Sequence, residues 1–183
     1  MLLTAPGVPF VYYGEEIGMA GVKPDEDIRT PMQWSAEKHA GFTTGIPWRA
    51  VNRDYPEVNV RNQSQDMESL LVHYQSLIEA RNNHSALLMG DTYIVESEAA
   101  QVYSILRSKG DSHVLVVVNL GAEPLQEYGL SLTEGPLSGA YTVQSLLTEE
   151  LFTEMAASES GGFDSYLPLP SLPANARLVL DLK

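Results

Sequence analysis

Between Pro6-Gly7 and Gly14 the chain runs through Val8, Pro9, Phe10, Val11, Tyr12 and Tyr13 without a charged residue. A short apolar run with no polar alternation is the pattern of a strand buried on both faces, and such strands belong to parallel sheets covered by helices. Parallel strands need neighbours, and their connections take a dozen or more residues. Almost nothing precedes Val8. The expectation is therefore one strand of a sheet whose other members lie outside these residues.

The rest of the chain divides by period. Residues 20–62 are rich in Pro, Gly, Asp and Asn and hold neither a period of 2 nor of 3.6. They read as a long ordered loop anchored by the buried-type residues Met32, Trp34, Phe42, Trp48, Tyr55 and Val58. Residues 66–83 then place Met67, Leu70, Leu71, Tyr74, Leu77 and Ile78 on one stripe, which predicts a helix capped by Ser64 or Asp66 and ended at Asn82-Asn83-His84. After Gly90 come short β-rich runs at 92–95, 101–107, 113–119, 127–132, 141–147 and 176–182. Turn signals such as Lys109-Gly110-Asp111, Gly135-Pro136 and Gly161-Gly162 separate them. Short strands without intervening helices suggest an antiparallel sandwich. The expected boundary lies between 88 and 91, giving domains 1–90 and 91–183.

Charge and composition exclude whole classes of partner. The 183 residues carry 11 Lys+Arg against 24 Asp+Glu, a net charge of −13. With a pI near 4.5 and no basic cluster, neither nucleic acid nor an anionic membrane is an expected partner. The longest apolar run is far short of the roughly 20 residues that span a bilayer. The absence of cysteine excludes disulfides, thiolate zinc sites and cysteine nucleophiles. Met1-Leu2-Leu3-Thr4 lacks a basic leader region and meets Pro6, so no signal peptide is expected in this segment; the location is left unassigned, with the cytoplasm favoured.

Candidate chemistry is sparse. Glu15 and Glu16 are adjacent carboxylates, but consecutive side chains point about 100° apart on a helix and to opposite faces of a strand, so they cannot flank one glycosidic bond. A supporting role for one of them, accepting loop amides beneath a pocket, suits the pair better. The run Asp25-Glu26-Asp27 lacks a calcium-loop spacing and reads as solvated surface. His39, His73, His84 and His113 show no metal-ligand pairing and read as structural, so no metal ligand is assigned. Neither a G-x-S-x-G elbow nor a phosphate-binding loop is present. The most specific segment is DIRTPMQW, Asp27 to Trp34. Arg29 offers a charged fork for hydroxyls or a carboxylate, and Trp34 an aromatic face for a sugar ring. A loop merely anchored by buried Met32 and Trp34 fits the same spacing.

GVPFVYYGEEIGM at 7–19, RTPMQW at 29–34, GFTTGIPW at 41–48, Asn59-Val60, SLLVHYQSLIEARNNHSALLMG at 69–90 and the closing LPANARLVLDL occur in one order. In that order they resemble the C-terminal part of the alpha-amylase family, glycoside hydrolase family 13. The likeness covers essentially the whole chain, and RTPMQW resembles a loop of its alpha-glucosidase, oligo-1,6-glucosidase and trehalose synthase members. The resemblance implies an α+β chain: the last strand and helix of a (β/α)8 TIM barrel, then an all-β antiparallel C-terminal sandwich. A complete barrel takes about 250 residues and cannot fit ahead of residue 91.

By the same resemblance, the nucleophilic aspartate, the acid/base glutamate and the third aspartate lie after earlier barrel strands. No catalytic residue falls in this chain, which is expected to be inactive alone. The family implies retaining action on alpha-glucosidic bonds through a covalent glycosyl-enzyme intermediate. Arg29 then corresponds to a substrate-binding arginine facing the non-reducing-end glucose. Trp34 and Tyr12 would support the pocket wall, and Glu15 and Gln33 would give structural support. No cofactor is expected in this chain, and calcium is a candidate ion of a full-length enzyme. The expected partners are an alpha-glucan or oligosaccharide, the missing N-terminal barrel portion, and a second copy of the chain pairing with the bare strand. The rival expectation is a non-catalytic glucan-binding or structural subunit that holds glucan on a face of the sandwich or on the Trp34/Trp48 loop.

Overall fold

The computed structural model describes residues 1–183 and divides into two compact units, Pro9–Ile78 on one side and Met1–Val8 with Glu79–Lys183 on the other.

The larger unit is mostly antiparallel sheet. Its strands are β1 (Asp91–Ile94), β2 (Glu96–Ser97), β3 (Val102–Lys109), β4 (Ser112–Asn119), β5 (Leu130–Leu132), β6 (Ala140–Ser145), β7 (Leu151–Ala156), β8 (Phe163–Tyr166) and β9 (Arg177–Leu182). Six form one sheet in the order β1-β3-β4-β9-β6-β7, and three form a second in the order β2-β5-β8. One apolar cluster draws on both sheets, including Leu106, Leu115, Val117 and Leu180 from the first and Leu130, Leu132, Phe163 and Tyr166 from the second. Tyr128 is fully buried in it and donates its phenol to the Leu169 carbonyl.

Residues 104–108 and 113–117 are buried continuously rather than alternately, because both faces of β3 and β4 are covered. One face meets the core cluster. The other carries Ile105, Arg107, Val114 and Val116 and packs against the short helix α4 (Ser85–Met89), whose Ala86 and Leu87 are fully buried. The first residues of the chain are tied to this unit by two buried arginines. Arg81 donates to the carbonyls of Leu3, Ala5 and Gly7, and Arg107 to those of Thr4 and Gly90.

The smaller unit is loop-rich. It holds the short helices α1 (Asp25–Ile28) and α2 (Val60–Gln63) and most of the long helix α3 (Leu70–Asn83). Its small core is Ile17, Met32 and Leu71, flanked by Met19 and Val60.

Several expectations need correction. Residues 8–13 form no strand, and Val8 and Phe10 are 79% and 84% exposed. No strand of either sheet pairs with them, and an apolar run without a partner strand has neither ladder bonds nor a face to bury. The long helix starts at Leu70, not Asp66. Its first turn is capped by Ser69, whose Oγ accepts the Val72 amide at 3.2 Å, while Ser64 closes α2 and Asp66 accepts the Glu68 amide. Met67 lies outside the helix and is exposed, as are Leu70 and Ile78 of the expected apolar stripe. The acidic run is helical, with Asp25 and Asp27 paired to Lys23, Arg29 and Arg49. Helix α4 and strands β2, β7 and β8 lie beyond the runs expected from sequence; β7 and β8 lack a clear alternation, and β2 is two residues long.

Candidate substrate-binding site

The loop that carries RTPMQW is pinned from beneath by Gln33. This side chain is fully buried; its Nε2 donates to the Val58 carbonyl at 2.6 Å and to Asp54 Oδ1 at 3.2 Å, and its Oε1 accepts from Asn52. The backbone continues the tie, since Val60 N donates to Gln33 O and Arg61 N to Trp34 O. Beyond Trp34 the chain reverses through three consecutive left-handed residues, His39, Ala40 and Gly41. The Ala40 carbonyl accepts both the Trp34 and Ser35 amides, at 2.9 and 3.0 Å. A Cβ on Gly41 would lie 2.5 Å from Ser35 Oγ, so glycine is required there.

The GEEIG segment makes a 3-10 turn over Glu15–Ile17 between Gly14 and Gly18. Glu15 accepts the Tyr12 amide at 3.1 Å and the Tyr74 phenol at 2.9 Å, and Glu16 accepts the Gly14 amide at 2.7 Å. The two carboxylates thus serve separate local bonds. Burial holds the Tyr74 phenol above its ordinary pKa, and the Glu15 hydrogen bond adds to this. Tyr13 stacks at a tilt on Tyr12, ring centroids 4.9 Å apart, and donates to the Thr30 carbonyl.

Two clefts result. One, of about 360 Å³, is lined by Tyr13, Glu16, Thr30, Pro31, Met32, Trp34, Phe42 and Trp48. The other, of about 350 Å³, is lined by Tyr12, Tyr13, Glu26, Arg29 and Trp48. They share Tyr13 and Trp48. Of the residues singled out in the sequence, Tyr12 and Arg29 meet in the second cleft and Trp34 lines the first. Glu15 and Gln33 lie behind the walls, one fixing the Tyr12 amide and the other the loop.

Trp34, Phe42 and Trp48 do not anchor the loop as expected; they are 51%, 43% and 61% exposed. The anchors are instead the polar Gln33 and Asn59, both fully buried. Asn59 caps α2 through the Asn62 amide and donates to the Tyr55 carbonyl. Arg29 is held only loosely, its Nε 3.4 Å from the Asp25 carbonyl and its Nη2 3.7 Å from the Asp25 carboxylate. Most of its fork remains for a ligand. Tyr13, Glu16, Glu26 and Thr30 also line the clefts. The only sequence signals for them are that Tyr13 and Glu16 lie in YYGEE beside Tyr12 and Glu15, and that Glu26 lies in the acidic run ahead of Arg29. Chemically the clefts offer aromatic faces, one guanidinium and two carboxylates that belong to different clefts. That set can stack on and hydrogen-bond a polyol ring. No group of three or more acidic or histidine side chains in this chain stands ready to hold a metal ion.

Residues 1–90 match the family model described as the alpha amylase catalytic domain. The oligo-1,6-glucosidase of Bacillus cereus is 32% identical over 154 residues, covering 64% of this chain and 28% of that protein. The trehalose-6-phosphate hydrolase of Bacillus subtilis is 30% identical over 159 residues, covering 65% and 28%. Among solved structures, the trehalulose synthase of Pseudomonas mesoacidophila superposes with a TM-score of 0.71 at 26% identity, over 100% of this chain and 37% of that one. The chain therefore spans little more than a quarter of the length of the curated relatives it matches. By the match to the catalytic-domain model, residues 1–90 belong to the alpha-amylase family, and the run of glucosidase relatives and the shared architecture extend the similarity over the chain.

Proposed function

We propose that this chain is the C-terminal region of a retaining glycoside hydrolase or transglycosidase acting on alpha-glucosidic bonds of malto- or isomalto-oligosaccharides. In this reading residues 1–90 are the end of a barrel catalytic domain and residues 91–183 its C-terminal β-sandwich. Arg29 binds hydroxyls of the non-reducing-end glucose, while Tyr12 and Trp34 wall the pocket. Glu15 and Gln33 hold those walls in place. These residues position substrate, so their loss weakens binding and alignment without removing the chemistry.

The observation that carries the reading is the meeting of Tyr12 and Arg29 in one cleft, joined through Tyr13 and Trp48 to the cleft of Trp34. The two carboxylates lining the clefts, Glu16 and Glu26, lie in different ones, which supports the absence of a catalytic pair in these residues. The apolar exposed run at Val8 and Phe10 suits a surface covered by the earlier strands of a barrel, or by a second copy of the chain.

The purified chain is expected to release no glucose from maltose, isomaltose, trehalose or starch. It is expected to bind maltose or isomaltose in the millimolar range by calorimetry, with binding weakened in Arg29→Ala. Turnover at ordinary enzymatic rates would overturn the positioning role. The exposure of Trp34 and Trp48 favours a second reading, a glucan-binding subunit without turnover in any complex. Supplying the remaining barrel portion of a relative in trans separates the two, since only the first reading predicts that hydrolysis appears.

A further inference from the structure

Trp48 lines both sugar clefts, but its own segment does little to hold it there. No residue between Ala40 and Asn59 is buried, so apolar packing contributes little to the position of this stretch. Hydrogen bonds are as sparse. Gly45 N bonds only to the nearby Thr43 hydroxyl, and the next firm tie is the Asn52 side chain, which donates to the Ala20 carbonyl at 2.7 Å. Across residues 46–51 a single bond reaches the rest of the chain: Arg49 Nε donates to Asp27 Oδ1 at 2.5 Å.

Asp27 lies in α1, beside the groups that line the second cleft. Glu26 of the same helix and Arg29 at its C-cap face that cleft together with Trp48. The Arg49–Asp27 bond therefore joins the element that carries Glu26 and Arg29 to the segment that carries Trp48. Of the three carboxylates of α1, Asp25 is taken by Lys23 and Arg29, and Glu26 acts on Arg49 only at a distance. The bond to Arg49 holds the Asp27 carboxyl below its ordinary pKa, so the pair is ionised at neutral pH. Charge-assisted bonds of this kind are short and about twice as strong as neutral ones. Both side chains keep 41% exposure, so neither charge carries the desolvation cost of a buried pair.

We infer that Asp27 and Arg49 are a positioning pair for the sugar site, holding Trp48 over both clefts by anchoring its segment to α1. Neither residue lines either sugar cleft, and both act through Trp48. The inference rests on the proposed alpha-glucoside reading for its ligand alone, since the order of Trp48 is a property of the free chain. A ring face held in place before binding spares the ligand the cost of ordering it. Without the pair, maltose or isomaltose must order residues 46–51 on arrival.

The test uses the full chain with nitrogen-15 in its tryptophan indoles. In the free wild type the heteronuclear Overhauser effect of the Trp48 indole N–H should be that of an ordered side chain. It should fall in Asp27→Asn and in Arg49→Gln, with Trp34 unchanged. The double variant should be no looser than either single one, because each change alone removes the bond. Arg49→Lys keeps the charge and should retain part of the order. Equal Trp48 order in the wild type and both single variants overturns the inference. Calorimetry with isomaltose should then show a dissociation constant raised roughly two- to fivefold in each single variant. A wild type that binds isomaltose and variants that bind it equally well would overturn the inference too. A wild type that binds no sugar refutes the functional reading instead, and the free-chain comparison still decides the role of the pair.

Discussion

Replacing Gln33 by leucine tests whether the sugar-facing loop is held from below by one amide. The substitution nearly conserves volume, so the cost falls on hydrogen bonding. Asp54 and Asn52 are half-buried, and water can take over their lost bonds. The Val58 carbonyl loses a 2.6 Å donor from a fully buried side chain. Leaving one buried acceptor unmade costs about 2 kcal/mol. That is roughly a thirtyfold rise in the population of the locally opened state. The readout is hydrogen exchange at the amides of Trp34, Val60 and Arg61, all of which bond across this loop. Amides of β3 and β4, in the other unit, should be unchanged. Exchange at Val60 and Arg61 equal to wild type would refute the idea that Gln33 pins the loop.

Three further outcomes follow from the same reasoning. Gly41→Ala places a methyl 2.5 Å from Ser35 Oγ at a φ of +67; it should destabilise the loop by about 1–2 kcal/mol, read as faster exchange at Trp34 and Ser35. Burial holds the His113 imidazole below its ordinary pKa of 6.5, so the folded state binds fewer protons than the unfolded one in that range. Stability should fall as pH drops below 6.5, and urea midpoints of His113→Gln should show a shallower pH dependence. Leu180→Ala removes a fully buried core side chain and should lower stability in denaturant titrations by about 2–5 kcal/mol.

Much of the β-rich half was legible because its strands carry their own signals. The runs over β3, β4 and β9 are dense in β-branched and aliphatic residues, and Gly110-Asp111 fixes their hairpin. β7 and β8 were not, since their burial is set by the opposing sheet rather than by alternation in sequence. The segment 8–13 misled for a physical reason: its composition encodes a buried strand, but the ladder that would bury it is not among these residues. In the site, the residue types were readable and their burial was not. Tryptophans read as anchors because large aromatics are usually buried. Here two polar side chains do the anchoring, Gln33 through a bond to the distant Val58 carbonyl and Asn59 through local bonds such as that to the Tyr55 carbonyl, and no sequence period reports either.

The most direct measurement is a nuclear magnetic resonance titration following the indole N–H signals of Trp34 and Trp48, the only two tryptophans, as maltose or isomaltose is added. Binding of an alpha-glucosyl unit across the two clefts predicts saturable shifts at Trp48, which lines both, and at Trp34, with cellobiose giving none. Indole signals that stay in place at saturating sugar, or that move equally with cellobiose, would contradict an alpha-glucoside site built on these residues.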